Sequence, residues 1–176
     1  LLALWAGRGA EPVLDEETYI LRAEALLEGR GYLGSYQAWV RHGATESPVD
    51  LPQYPGAWQP PAYTTFVAAA LALGGKGHSL VAVKLAQVLL GSVSVLFVLG
   101  LGRAWFGERA GLAAAWLTAL YPNLVAFTHY LWSETLFIFL LLAALLALTR
   151  RREPPGARAA ALAGVLLGLA ALTRAA

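Results

Sequence analysis

Cysteine is absent from this chain, lysine occurs only twice and histidine three times. The first absence removes any disulfide framework and any thiol chemistry, and leaves the redox compartment unreadable. The histidines, His42, His78 and His129, show neither HxH nor HExxH spacing, so the common zinc patterns are missing. There is no glycine-rich phosphate loop and no serine triad. Charge is scarce as well, at 14% of residues against about 25% in an ordinary globular domain. A net charge of +2 with no basic stripe gives no reason to expect a nucleic-acid partner.

What fills the space is apolar. Hydrophobic residues make up 58% of the chain, beyond the roughly 45–50% of soluble domains, and mean hydropathy is +0.57. Long apolar runs cover 110–128, 131–148 and most of 80–102. At about 1.5 Å per residue they reach roughly 27–35 Å, enough to cross a hydrocarbon core about 30 Å thick. An all-α, polytopic membrane protein is expected, with the lipid bilayer as its first partner. Leu1 to Ala6 look like the tail of an earlier span, and the chain closes on Leu172-Thr173-Arg174 without a stop signal, so a fragment of a longer protein is expected.

Charge distribution sets the topology. Between Arg8 and Trp58 lie eight acidic and four basic residues, whereas the connections near Arg103–Arg109 and Arg150–Arg158 are predominantly basic. The positive-inside rule puts those basic connections in the cytoplasm. Residues 7–79 then form an extracytoplasmic loop carrying amphipathic juxtamembrane helices over about 15–29 and 62–75, the latter too short to cross. Transmembrane helices follow over about 80–102, 110–128, 131–148 and 159–173 onward. Asp15, Glu16, Gln59 and Glu134 all come out on one side. The plasma (inner) membrane is the expected location, and the alanine, leucine, glycine and arginine bias hints at a bacterial source.

The polar residues that could carry chemistry each have a plain structural reading beside the functional one. Asp15 is a competent N-cap for a helix whose Tyr19, Ile20, Ala23, Leu26 and Leu27 share a face. Yet Asp15, Glu16 and Glu17 run in succession at a membrane surface, where anionic headgroups repel them, and a cap needs only one. Lys84, a turn inside the span from Leu80, either snorkels to headgroups or holds a lipid phosphate. Glu134 favours a helix N-terminus through the macrodipole, or supplies a second acidic group. Gly164 and Gly168 have small-xxx-small spacing suited to helix packing.

Taken in order, several weak motifs resemble the N-terminal part of a GT-C-type membrane glycosyltransferase. The similar branch contains protein O-mannosyltransferases and lipid A aminoarabinose transferases. The carrying residues are Asp15-Glu16 with Tyr19 and Ala23, then Leu27-Glu28-Gly29-Arg30-Gly31-Tyr32. Gln59-Pro60-Pro61-Ala62-Tyr63 and Lys84-Leu85-Ala86-Gln87 follow, then Gly102-Arg103-Ala104-Trp105-Phe106-Gly107. Ala119-Leu120-Tyr121-Pro122, Ser133-Glu134-Thr135-Leu136-Phe137 and Gly168 to Arg174 complete the series. The resemblance implies an enzyme that takes a sugar from a polyprenyl-phosphate carrier and transfers it, outside the cytoplasm, to a hydroxyl of a lipid, glycan or protein. It implies Asp15 as general base, with Glu16 beside it, and substrate contacts at Arg22, Gln59, Tyr63, Lys84 and Glu134. Some relatives carry Glu or His where this chain has Gln59, a poor metal ligand, so no metal or other cofactor is expected. A transporter or flippase for lipid-linked glycans is the rival class, but it calls for charged or broken helices at the bilayer midplane. A non-catalytic membrane scaffold is a third class, which would not need Asp15-Glu16.

Overall fold

The computed structural model describes residues 14–29, 31–32, 60–75, 80–149 and 156–174, with Leu14, Asp15 and Glu17 followed as backbone only. The expected span end at 1–6 and Gln59 lie outside these residues. Every regular element among the described residues is a helix. They are α1 (Leu14–Leu27), α2 (Pro61–Leu73), α3 (Leu80–Phe106), α4 (Glu108–Leu120), α5 (Pro122–His129), α6 (Glu134–Thr149) and α7 (Ala157–Ala171).

Local chemistry sets the boundaries. α1 starts at Leu14, so Asp15 lies inside the first turn rather than at the cap, where the helix dipole still favours a carboxylate. The chain leaves α1 through Gly29, whose φ of 72° suits a residue without a Cβ. α2 begins with Pro61 in its first turn, after an extended Pro60, because proline brings a pre-set φ and no N–H to leave unsatisfied.

The expected span over 110–128 is broken. α4 stops at Leu120, Tyr121 is extended, and α5 leaves at 52° to α4. Pro122 is the cause: it lacks the N–H for the helical ladder and pushes the residue before it out of the helical region. The bend borders a cavity of about 210 Å³ whose walls include Val88, Gly91, Val95, Leu124, Phe127 and Ile138.

By length and apolarity α3 alone can cross a bilayer, and the α4–α5 pair can do so if it is one bent span. α2, α6 and α7 are shorter apolar helices, so the expected set of four full spans reduces to these lengths. Only 22% of the most apolar stretch of α3 is buried, unlike the mostly covered core helix of a soluble protein. Leu89, Leu96, Trp116, Leu117 and Val165 likewise point outward, as side chains solvated by hydrocarbon would.

α3 is the axis of the packing. It runs against α4 and α6, α6 runs against α7, and α1 lies on α2, which rests on the start of α3. The tightest crossing joins α3 to α4: a Cβ on Gly102 would sit 2.6 Å from the Gly111 Cα. Gly164 and Gly168 have nothing within 4 Å of an added Cβ. The small-residue packing therefore falls on Gly102 and Gly111, because two backbones meet there, whereas no described atom approaches Gly164 or Gly168. Tyr19, Ala23, Tyr63, Val67, Leu71, Val83 and Leu131 form the apolar core, at the end where α1 and α2 cover the start of α3.

Candidate functional site

One end of the helices gathers the polar groups. The start of α3, the end of α5, the start of α6 and the end of α7 all lie there, under α1 and α2. Arg103, Glu108 and Arg158 occupy the other end, with Arg103 paired to Glu108.

Gln87 is the hub. Its side chain is fully buried in α3. The Tyr63 hydroxyl donates to its Oε1, and its Nε2 donates to the carbonyls of Thr128 at 3.2 Å and Tyr130 at 2.9 Å. One amide thus ties α2, α3 and the α5–α6 turn together, using acceptor and both donors in a region where an orphan would be costly. Tyr63 is packed edge-on to Tyr19, with ring centroids 4.6 Å apart. Burial, with the nearby Tyr19, Glu16 and Glu134, holds the Tyr63 hydroxyl well above the usual tyrosine range, so it stays a neutral donor.

Glu16 reaches across the chain. It is 6% exposed, and its Oε1 accepts the backbone N–H of Leu131 at 2.7 Å. This charge-assisted bond joins the first turn of α1 to the turn before α6. Arg22, two turns on, is 1% exposed; its Nη1 donates to the Tyr32 hydroxyl at 3.4 Å, and its guanidinium lies 5.2 Å from that ring's centroid. The Tyr32 hydroxyl is also 3.4 Å from Pro60 O and from Thr64 Oγ1, so Arg22 helps hold α1 to the start of α2. Glu134 opens α6 and accepts from Arg174 Nη1 at 2.6 Å. The N–H of Ala62 donates to Leu172 O at 2.9 Å, which brings the start of α2 to the end of α7.

A cavity of about 190 Å³ lies among these groups, lined by Tyr19, Trp132, Ser133 and Glu134. Trp132 stacks on Tyr130 at 5.2 Å and tilts against Phe127 at 5.8 Å. Its indole Nε1 is buried without a hydrogen-bond partner among the described residues.

The residues expected to act are therefore distributed unevenly. Glu16, Tyr63 and Glu134 converge on this end, with Glu16 and Tyr63 buried in hydrogen bonds to protein. Asp15 sits beside Glu16 in the first turn of α1, where only its backbone is described. Lys84, half-buried one turn before Gln87, has no ion-pair partner among the described residues. Arg22 is a buried packing partner of Tyr32. Gln59 falls outside the described residues. Among the described residues no three His, Asp or Glu side chains are grouped to hold a metal ion. Gln87 and Trp132 carry no role in the sequence reading; an amide in an apolar span is itself a signal, because an unsatisfied polar group there is expensive.

Residues 58–176, more than half of the sequence, match the profile of the family described as dolichyl-phosphate-mannose-protein mannosyltransferase. The chain belongs to the dolichyl-phosphate-mannose-protein mannosyltransferase family. Its members are membrane-embedded glycosyltransferases, which agrees with the outward-facing apolar surface of α3. The match begins just before α2, so α1 with Asp15 and Glu16 precedes it. What attaches α1 to the mannosyltransferase-like part is the Glu16–Leu131 bond and the Tyr19–Tyr63 contact. No curated protein and no solved structure gives a significant match.

Proposed function

We propose that the chain forms the N-terminal part of a polytopic GT-C glycosyltransferase that moves a sugar from a polyprenyl-phosphate carrier to a hydroxyl of a lipid, glycan or protein. The observation that carries this reading is the convergence of the acidic first turn of α1 on the family-matched part, through Glu16 and Leu131, next to the cavity opened by Glu134. The basic residues Arg103, Arg109 and Arg158 cluster at the opposite end, so the positive-inside rule assigns the acidic end to the extracytoplasmic side. The reading includes a plasma-membrane location and a multi-pass topology through α3, α4–α5, α6 and α7, the orientation of which the same charge asymmetry supports.

In this reading Asp15 is the general base. It takes the proton of the acceptor hydroxyl as that oxygen attacks the anomeric carbon, while the bond from that carbon to the phosphate oxygen breaks and its electron pair leaves with the lipid phosphate. The developing phosphate charge needs a cation, and Lys84 is a cation near this end with no described carboxylate beside it. Glu16 positions the turn through Leu131. Tyr63 and Arg22 act from burial, holding α2 and α1 in place. Gln59 precedes α2 in the sequence and lies outside the described residues; its expected part is a substrate contact as a neutral amide, and no metal or cofactor step enters.

The test uses the full-length parent and its Asp15→Asn form in a host deleted for the gene, with polyprenyl-phosphate-linked sugars measured by mass spectrometry. One such species is expected to accumulate in the deletion and in Asp15→Asn, and to disappear with the parent. A well-expressed Asp15→Asn form that clears it as the parent does would reduce Asp15 to a helix-dipole partner.

A further inference from the structure

We propose that the cavity lined by Tyr19, Trp132, Ser133 and Glu134 holds the pyranose ring of the donor, with Trp132 as its fixed wall. This rests on the glycosyltransferase reading and adds to it where the sugar sits and which side chains grip it.

Size is the first constraint. A cavity of about 190 Å³ is far more than the roughly 10–15 Å³ that one water needs. That is room enough for one monosaccharide ring. The walls match a ring with apolar C–H faces and a polar rim. Tyr19 is set edge-on against Tyr63, and Trp132 is clamped between Tyr130 and Phe127, so both aromatic walls are in place before anything binds. Pre-ordered walls spare the entropic cost of immobilising side chains on binding. The rim has the Ser133 hydroxyl, which both donates and accepts, and the Glu134 carboxylate. Arg174 holds Glu134 through Oε1, yet a carboxylate offers about four acceptor sites, so capacity for sugar hydroxyls remains.

Trp132 gives the independent pointer. Its Nε1–H is buried and has no acceptor among the described residues. Buried donors are nearly always satisfied, and an orphan next to a polar cavity asks for a partner. A small turn of the indole toward the cavity would bring this N–H to a ring hydroxyl oxygen, which would be that partner.

Charge separates the sugar from the other half of the donor. Glu134 lines this cavity, its charge balanced by Arg174, and Glu16 binds the residue before Trp132. No unpaired cation among the described residues therefore lines the cavity to hold a phosphate, whereas hydroxyls can donate to the carboxylate. A neutral polyhydroxylated ring is the ligand chemistry that fits, with the phosphate displaced toward Lys84. The backbone of Asp15 neighbours Glu16 in the first turn of α1, and the Glu16 carboxylate binds the residue before Trp132.

The test separates sugar binding from carrier binding. Full-length protein is titrated with a short-chain polyprenyl phosphate and with the same lipid bearing mannose or glucose. The parent is expected to bind one glycosylated lipid at least about tenfold more tightly than the bare one, an aromatic wall being worth up to about tenfold. Trp132→Ala should bring that ratio close to one while leaving bare-lipid affinity within about twofold, which also reports that the variant is folded. Trp132→Phe, which keeps a wall and loses the N–H, should fall between. A ratio unchanged in Trp132→Ala, or a parent that binds both lipids equally, overturns the subsite and leaves the transferase reading to its own assay. A parent that binds neither lipid overturns both.

Discussion

Replacing Gln87 by leucine tests the hub on which the site is built. The substitution nearly conserves volume but removes one acceptor and two donors from a fully buried position. Of the three partners, the Tyr130 carbonyl keeps a second donor, the Trp132 N–H at 2.9 Å. The Tyr63 hydroxyl and the Thr128 carbonyl lose their protein partner. Each buried orphan costs about 1–3 kcal/mol in soluble proteins, while hydrogen bonds in membrane proteins average nearer 0.6. The expected loss is about 2–4 kcal/mol by that reasoning. Denaturant unfolding of the full-length protein in detergent measures it, alongside Tyr63→Phe and the double variant. Tyr63→Phe removes one of the orphans that Gln87→Leu creates, so the two changes should couple by about 1 kcal/mol rather than add. A Gln87→Leu protein within about 0.5 kcal/mol of the parent, or strictly additive changes, would refute the hub.

Glu16 is expected to tolerate an amide and not a deletion. Glu16→Gln keeps an acceptor for the Leu131 N–H and should cost about 1 kcal/mol, whereas Glu16→Ala leaves that buried N–H unmet and should cost about 3. Equal losses in the two unfolding curves would show that the carboxylate does not act through this bond. Tyr63 should impose an alkaline limit on stability. Its folded value is raised above the unfolded one, so its contribution is complete below about pH 10 and is lost as the unfolded chain ionises above that. Tyr63→Phe should therefore lose less stability than the parent between about pH 9.5 and 11. Parallel stability–pH curves would remove burial of the neutral phenol as the cause.

Much of this architecture was legible in the sequence, because helix boundaries depend on neighbours along the chain. Pro60-Pro61 started α2 where expected, Gly29 and Gly74-Gly75 closed their helices, and apolar runs located α3, α6 and α7 to within a few residues. Charge asymmetry placed the ends of the chain's basic and acidic groups apart, and Glu16 and Glu134 do share an end. Hydropathy marked 110–128 as one apolar run and missed the 52° bend within it, since an average over a window does not register the missing N–H of Pro122. The site was less legible. That Glu16 meets Leu131, that Arg22 is sealed against Tyr32, and that Gln87 satisfies groups from two other elements are pairings across 10 to 115 residues of sequence. Composition names the groups that need partners but not the partners. Gly102 and Gly111 show the same limit, because the value of a missing Cβ depends on which backbone arrives opposite it. The sequence by itself determined which segments coil and which faces avoid water, both being local free energies of backbone and solvation. Only the tertiary structure decided which buried polar groups satisfy one another, because that depends on where separate helices cross.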